Sequence, residues 1–319
     1  MTQKIPAIID CDPGHDDVMA ILLGARTMDI KGITTVFGNA ALSKTTKNAR
    51  YAVEVAGLEH IPIAAGYDRP LLREDESAED GAGAHGKTGL DGPVMHEPTV
   101  SILEEHAIDF IYRISKETPN LHLVPVGPLT NIAAVIRRYP DIVDHIAEIS
   151  LMGGSTTMGN ATAVAEFNIW ADAEAAHIVF TSGIPIKMVG LNVTRQVNAT
   201  PEYRKQIREM GGRTAVAVAD MLDFYSERLK ILYGLPGGSM HDPLAIAAII
   251  DPDILTFEEM HVAIELAGTN TYGMTVCDYR GRRTDTGEPR GEKPNAQVAT
   301  AVNAERFWKL FLEILSSYP

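Results

Sequence analysis

The chain of 319 residues carries 42 acidic against 28 basic side chains, a formal charge of −14, with 45% apolar and 22% charged residues. That balance is ordinary for a soluble globular protein. Its sign excludes nonspecific nucleic-acid binding and docking onto an anionic bilayer, and leaves a small ligand open. Cys11 and Cys277 are the only cysteines, so no disulfide framework and no CxxC metal site is available, and a reducing cytoplasm is the expected compartment. The IPAII segment after Lys4 is too short for a secretory signal, and no run of eighteen apolar residues predicts a membrane span.

Residues 5–9 predict a buried strand and 16–27, DDVMAILLGART, a helix. A second strand over about 30–37 ends at Gly38-Asn39, and LSKTTKNARYAVEVAGL follows as a helix with Ser43 as its cap. This strand–helix–strand–helix order predicts α/β architecture with an open, mostly parallel sheet flanked by helices. Between 67 and 98 the texture turns rich in Gly, Pro and acids. A connection that long is either disordered or functional. Residues 99–117 return to helix, 121–127 form a strand ending in Gly-Pro, and LTNIAAVIRRYP is the next helix. A strand over about 145–152 precedes a second loop, 153–168, and ADAEAAHIVFTSG is a helix that stops at Gly183. IPIKMVGLN is a strand, helical periodicity runs from 202 to about 233, and GGSMHDPLAIAAIID places a His-Asp pair before an apolar helix. IAE and YGMTVCDYR read as late strands, GRRTDTGEPRGEKPNAQ as a turn-rich hairpin, and 295–316 as a helix. With no repeat and no linker, residues 1–319 read as one domain.

Open α/β sheets place ligands at the carboxyl ends of their strands. The marked residues fall there repeatedly: Asp12, Gly38-Asn39, Val126-Gly127, Met152-Gly153-Gly154 and Asn192. The densest is DCDPGHDD, where Asp10, Asp12, Asp16 and Asp17 put four carboxylates within eight residues. Asp16 and Asp17 alone could be ordinary acids at a helix start. Capping explains Asp10 and Asp12 poorly, because carboxylates gathered beside an apolar strand repel one another and resist burial. A divalent cation removes both costs, and an all-oxygen donor set suits Ca²⁺ or Mg²⁺ better than Zn²⁺. An EF-hand fails because position 21 is Ile, and no phosphate loop is present. A strand followed by Asp-x-Asp also fits an aspartyl-phosphate phosphohydrolase using Mg²⁺, with Asp10 as nucleophile, but leaves Asp16 and Asp17 unexplained. Cys11 lacks a partner base and is not expected to act as a nucleophile.

Taken in order, DCDPGHDD, FGN, AHGKTGLDG, NATAVAEFNIWAD and MHDP resemble the inosine–uridine preferring nucleoside hydrolases over essentially the whole chain. The resemblance implies an open α/β fold and hydrolysis of the N-glycosidic bond of ribonucleosides to ribose and free base. It implies Ca²⁺ bound by Asp12, Asp17, Asp242 and the Val126 carbonyl, with Asp10 as supporting carboxylate. Asp12 would also be the general base toward a Ca²⁺-bound water. Asp16, Asn39, Asn160, Glu166 and Asn168 match residues that grip ribose hydroxyls, His241 one that assists base departure, and His85 one near the base. Phe167, Tyr225, Arg228 and Tyr233 are base-facing candidates, with core or surface packing as the alternative for each. Trp170 reads as core. The glycines around His85 would let residues 78–90 order over bound substrate. The family forms homo-oligomers, dimers or tetramers, and the expected partner is a small ribonucleoside, with neither nucleic acid nor membrane. The aspartyl-phosphate phosphohydrolase stands second and a non-enzymatic nucleoside or sugar binder third.

Overall fold

A strand that is apolar without alternation must be covered on both faces, and β1 (Pro6–Cys11) is buried at every residue after its first. The computed structural model describes residues 4–74, 83–280 and 291–319. From β1 the chain turns into α1 (His15–Thr27), β2 (Asp29–Thr35), α2 (Leu42–Ala56), β3 (Ile63–Ala65), α3 (Ala107–Glu117), β4 (Leu121–Pro125), α4 (Thr130–Arg138), a 3-10 turn at Pro140–Asp144 and β5 (Ile146–Met152). Short helices α5 (Phe167–Ala171) and α6 (Ala173–Phe180) lead to β6 (Ile186–Val189), α7 (Leu191–Thr194) and β7 (Asn198–Ala199). Then come α8 (Pro201–Met210), α9 (Gly212–Tyr233), β8 (Gly238–Ser239) and α10 (Pro243–Ile250). The chain closes with β9 (Leu255–Ile264), β10 (Thr275–Asp278), β11 (Ala296–Val302) and α11 (Ala304–Leu315).

Among the described residues nine strands form one sheet, in the order β10-β9-β11-β6-β5-β4-β1-β2-β3. Neighbours from β11 to β3 pair in parallel, and β9 pairs antiparallel with β11 and β10. Helices cover both faces, as the alternation predicts. Ala7, Ile9 and Cys11 enter the core beneath α1, α9 and α10, while Ile8 enters the opposite core beneath α3, α4 and α6. The chain leaves β1 for β2 on one side and later returns as β4 on the other. That reversal opens a crevice beyond the carboxyl ends of β1 and β4. Asp12 follows β1 and Val126 follows β4 at that end. No helix among the described residues is long and apolar enough to cross a membrane.

Several expected boundaries move, each for a local reason. The helix expected over 99–117 begins only at Ala107. The N–H groups of Thr99 and Val100 are taken by the Glu54 carboxylate of α2, which removes them from a helical ladder. Ser43 is not a cap, because α2 already starts at Leu42. The periodic stretch 202–233 is two helices, broken where Gly211 and Gly212 both take positive φ, 69° and 75°. The helix expected over 295–316 is a strand, Ala296–Val302, followed by a helix whose first turn is capped by Asn303 accepting from the Arg306 N–H at 3.0 Å. Its alanines hid the alternation of a strand. Residues 75–82 of the first loop and 281–290 of the expected hairpin lie outside the described residues.

Candidate active site

The bend after β1 decides where its acids go. Asp17, in the first turn of α1, accepts from the Gly14 N–H at 2.9 Å and the Asp12 N–H at 3.1 Å. It therefore caps the helix and holds the helix start against the strand end. Asp12 is gripped from the β2 side: its Oδ2 accepts from the Asn39 N–H at 2.6 Å, while the Asn39 amide reaches the Asp12 carbonyl at 3.2 Å and Asp17 at 3.3 Å. Gly38 has φ of 152°, and a Cβ there would stand 2.1 Å from Asp12 Oδ2. Glycine is required at that position by both the backbone and the close approach. Asp10 lies deeper, with its Oδ1 accepting from Thr34 at 2.6 Å and Asn131 at 2.8 Å.

Asp10, Asp12, Asp16, Asp17 and Asp242 are all buried. Burial pushes Asp10 up to about 7, against the bonds from Asn131 and Thr34. Burial, then repulsion from Asp17, drives Asp12 and Asp16 well above the ordinary carboxylate range. Asp242 rises through burial, then Asp16 and Asp17, and Asp17 rises through burial. Oxygens of Asp16, Asp17 and Asp242 come within 4.8 Å of one another. Asp12 stands outside that trio, but its Oδ1 and Asp10 Oδ2 are buried without a hydrogen-bond partner among the described residues. Such a set is costly unless protons or a cation offset the charge. Hard oxygen donors, two of them orphaned, fit a divalent cation of the Ca²⁺ or Mg²⁺ type.

Asp16 and Asp242 of this cluster line a cavity of about 240 Å³, together with Asn39, Val126, Asn160, Glu166 and Asn168, while Asp10, Asp12 and Asp17 are not among its lining residues. The Val126 carbonyl accepts from the Asn168 side chain at 2.9 Å, and the same amide reaches the Met152 carbonyl at 3.1 Å. That leaves the Asn168 carbonyl oxygen for a ligand. Glu166 caps α5 by accepting from the N–H groups of Asn168 and Ile169, and also takes that of Gly154. Burial still pushes it up to about 7, against those N–H bonds. Asn160 uses its carbonyl oxygen on the Phe167 N–H at 2.8 Å, leaving its amide N–H₂ for the cavity.

The cavity also has aromatic walls. Phe167, Tyr225, Tyr233, His85 and His241 line it. Tyr225 is buried, whereas Tyr233 is 48% exposed and marks the mouth. Arg228 does not line the cavity but donates to the carbonyl of the rim residue Gly83 at 3.1 Å. Trp170 is partly buried, against Phe167 with ring centroids 6.4 Å apart. His241 Nδ1 lies 2.6 Å from the Thr194 hydroxyl. Burial, then the Arg195 charge, lowers His241 to about 3, so its imidazole is neutral at pH 7.

Two neighbours of these side chains escaped the sequence reading. His15 sits inside DCDPGHDD yet is fully buried. Its Nε2 is 2.8 Å from the Asp91 carbonyl, which can only accept, so that nitrogen carries a proton. Its backbone N–H donates to His85 Nδ1 at 3.1 Å, and its ring stacks on Tyr225 with centroids 5.1 Å apart. His85 is thus a packed residue and not a solvated loop histidine. Burial, then His15 and His241, lowers its basicity. The second neighbour, Arg195, lines the cavity just after α7. Its only sequence signal was its place shortly after the strand end at Asn192.

Comparison with known proteins bears on this geometry. The family model described as inosine-uridine preferring nucleoside hydrolase matches residues 7–309. The inosine-uridine preferring nucleoside hydrolase of Crithidia fasciculata is 42% identical over 99% of this chain and 98% of its own. The pyrimidine-specific ribonucleoside hydrolase RihB of Escherichia coli is 38% identical over the same shares. Among solved structures, a purine-preferring ribonucleoside hydrolase from Gardnerella vaginalis superimposes with a TM-score of 0.89 at 32% identity, covering 98% of both chains.

Proposed function

The chain belongs to the inosine–uridine preferring nucleoside hydrolase family and is a ribonucleoside hydrolase, and from that premise we propose how its own residues carry out the reaction. The observation that carries the reading is the pair of orphaned oxygens on Asp10 and Asp12 together with the trio of Asp16, Asp17 and Asp242, of which Asp16 and Asp242 line one cavity. Asp12, Asp17, Asp242 and the Val126 carbonyl would hold Ca²⁺, with Asp10 supporting them from behind. Bound there, Ca²⁺ would supply Lewis-acid activation of the attacking water and a hard cation toward the ribose hydroxyls.

Asp12 accepts the proton of the water that attacks C1′, and its grip by Asn39 fixes its direction. Asp16, Asn39, Asn160, Glu166 and Asn168 hold the ribose hydroxyls and so align C1′ with that water. As the glycosidic bond breaks, positive charge grows on the sugar ring, and the surrounding carboxylates stabilise it. The electron pair leaves with the base. Neutral His241 assists by donating a ring hydrogen bond to it, and His85 and Tyr225 pack on it. Water supplies the hydroxyl to C1′ and a proton to the base, giving ribose and free base. We place the enzyme in the cytoplasm as a homo-oligomer, a dimer or tetramer, that acts on free nucleosides in their breakdown and salvage.

The test is release of reducing sugar from inosine and uridine by the purified chain, before and after chelation, with Ca²⁺ and Mg²⁺ added back separately. Sugar release restored by Ca²⁺ supports the reading. Phosphate release from a phosphomonoester with Mg²⁺, and no sugar from any nucleoside, would favour the aspartyl-phosphate chemistry instead.

A further inference from the structure

Arg195 is the only Lys or Arg among the described residues that line the cavity. Its guanidinium is held from two sides. Toward the loop before α5 it donates to the Gly159 carbonyl at 3.3 Å and meets the Met158 sulfur at 2.7 Å. Toward the end of α9 it lies over the Tyr233 ring, 5.7 Å from its centroid. A guanidinium has five N–H donors in a rigid fork, and these contacts use two of them. No carboxylate pairs with it among the described residues, although the cavity floor is acidic.

Its place along the cavity matters as much as its charge. The polar cradle of Asp16, Asn39 and Asn168 is at the carboxyl ends of the strands, and Tyr233 marks the mouth. A nucleoside with its sugar in the cradle presents the far edge of its base toward the mouth. That edge carries the group at purine C6 or pyrimidine C4. Hypoxanthine, guanine and uracil bear an oxo acceptor there, while adenine and cytosine bear an amino donor. A fork of N–H donors pairs with the first and opposes the second.

Resting on the nucleoside reading above, we infer that Arg195, braced by Gly159 and Tyr233, selects nucleosides with an oxo group at purine C6 or pyrimidine C4 over their amino counterparts. The discrimination is electrostatic and directional, and it applies to purines and pyrimidines alike. A site with donors aimed at one group rejects a ligand that lacks the acceptor, because the donors are then left unpaired and desolvated.

The experiment measures kcat/KM for inosine against adenosine and for uridine against cytidine, in the full chain and in Arg195→Met and Arg195→Lys. The native enzyme is expected to favour the oxo partner of each pair. Arg195→Met should shrink both ratios by at least about 10-fold. Arg195→Lys, which keeps the charge but not the fork, should fall between. A uniform loss on all four nucleosides would reduce Arg195 to a structural brace and overturn the inference. So would a native preference for adenosine and cytidine. Calorimetric binding of free hypoxanthine and adenine to the native protein is a second readout that needs neither a variant nor turnover. Equal affinity would overturn the role of Arg195. Absence of sugar release from every nucleoside, with hypoxanthine still preferred, would instead sink the hydrolase mechanism and spare Arg195.

Discussion

Asp12 has one oxygen fixed by a backbone N–H and the other without a protein partner. That is the arrangement of a group reserved for a ligand or a proton. Asp12→Asn keeps the shape and removes the proton acceptor, so kcat at saturating Ca²⁺ is expected to fall by about 10²–10⁴-fold. Full activity in the variant would reject Asp12 as the base. Gly38 offers a second test of the same atom. Alanine there would place its Cβ against Asp12 Oδ2, so Gly38→Ala should lose most activity on every nucleoside. His15 acts through its neighbour: it holds the Asp91 carbonyl with one nitrogen and packs against His85 and Tyr225. His15→Leu keeps bulk but frees the loop that carries His85. It should lower kcat/KM by about 10-fold, in line with a lost positioning contact, while His15→Gln, which can still donate to that carbonyl, restores part of it. DCDPGHDD advertised its carboxylates because charge beside an apolar strand is legible in a sequence. His15 and Arg195 were not legible, since their meaning depends on partners 76 and 36 positions away.

Among the elements, the long segment before α3 shows how a single side chain can overrule propensity. Glu54 on α2 accepts from the N–H groups of Thr99 and Val100, the Thr99 hydroxyl and His96. Burial acts against its charge, but the bonds from Val100, His96 and Thr99 outweigh it and hold Glu54 down to about 2. A carboxylate depressed in the folded state adds stability that is complete above its unfolded pKa of about 4.5. That contribution is lost as pH falls through the window from about 4.5 to about 2. Glu54→Gln should therefore lower the melting temperature at pH 7, by about 1–3 kcal/mol of stability, and flatten the acid limb of the curve in that window. An unchanged acid limb would show that the strap contributes nothing. The same logic accounts for the other boundaries that moved. Gly211-Gly212 breaks a helical periodicity that composition alone ran together, and Asn303 starts a helix later than composition placed it, because positive φ and a capping side chain act over one or two residues.

For the molecule as a whole, the decisive feature is the reversal of strand order at β1 and β4. It converts marked residues scattered from Asp10 to Asp242 into one cavity at a single end of the sheet. The buried carboxylates there repel one another, so a cation bound only to the folded state must stabilise the fold as well as the reaction. Saturating Ca²⁺ at about 100 times its Kd would add roughly 2.7 kcal/mol. Chelation is therefore expected to lower the melting temperature by a few degrees and abolish sugar release together, with Ca²⁺ restoring both. Loss of activity without any thermal shift would place the required metal outside this cluster.

The sequence by itself determined the fold class, through apolar strands alternating with helices. It also determined where negative charge gathers, through carboxylates concentrated at a strand end, and the family, through motifs spread along the chain. Only the tertiary structure decided that Asp16 joins Asp17 and Asp242 in one trio, that Asp12 keeps an oxygen without a partner, and that Arg195 lines the cavity beside Tyr233. Periodicity and composition report each residue's own preference for burial and backbone shape. Which distant groups meet is set by how the sheet orders its strands, and that order is a property of the packed whole.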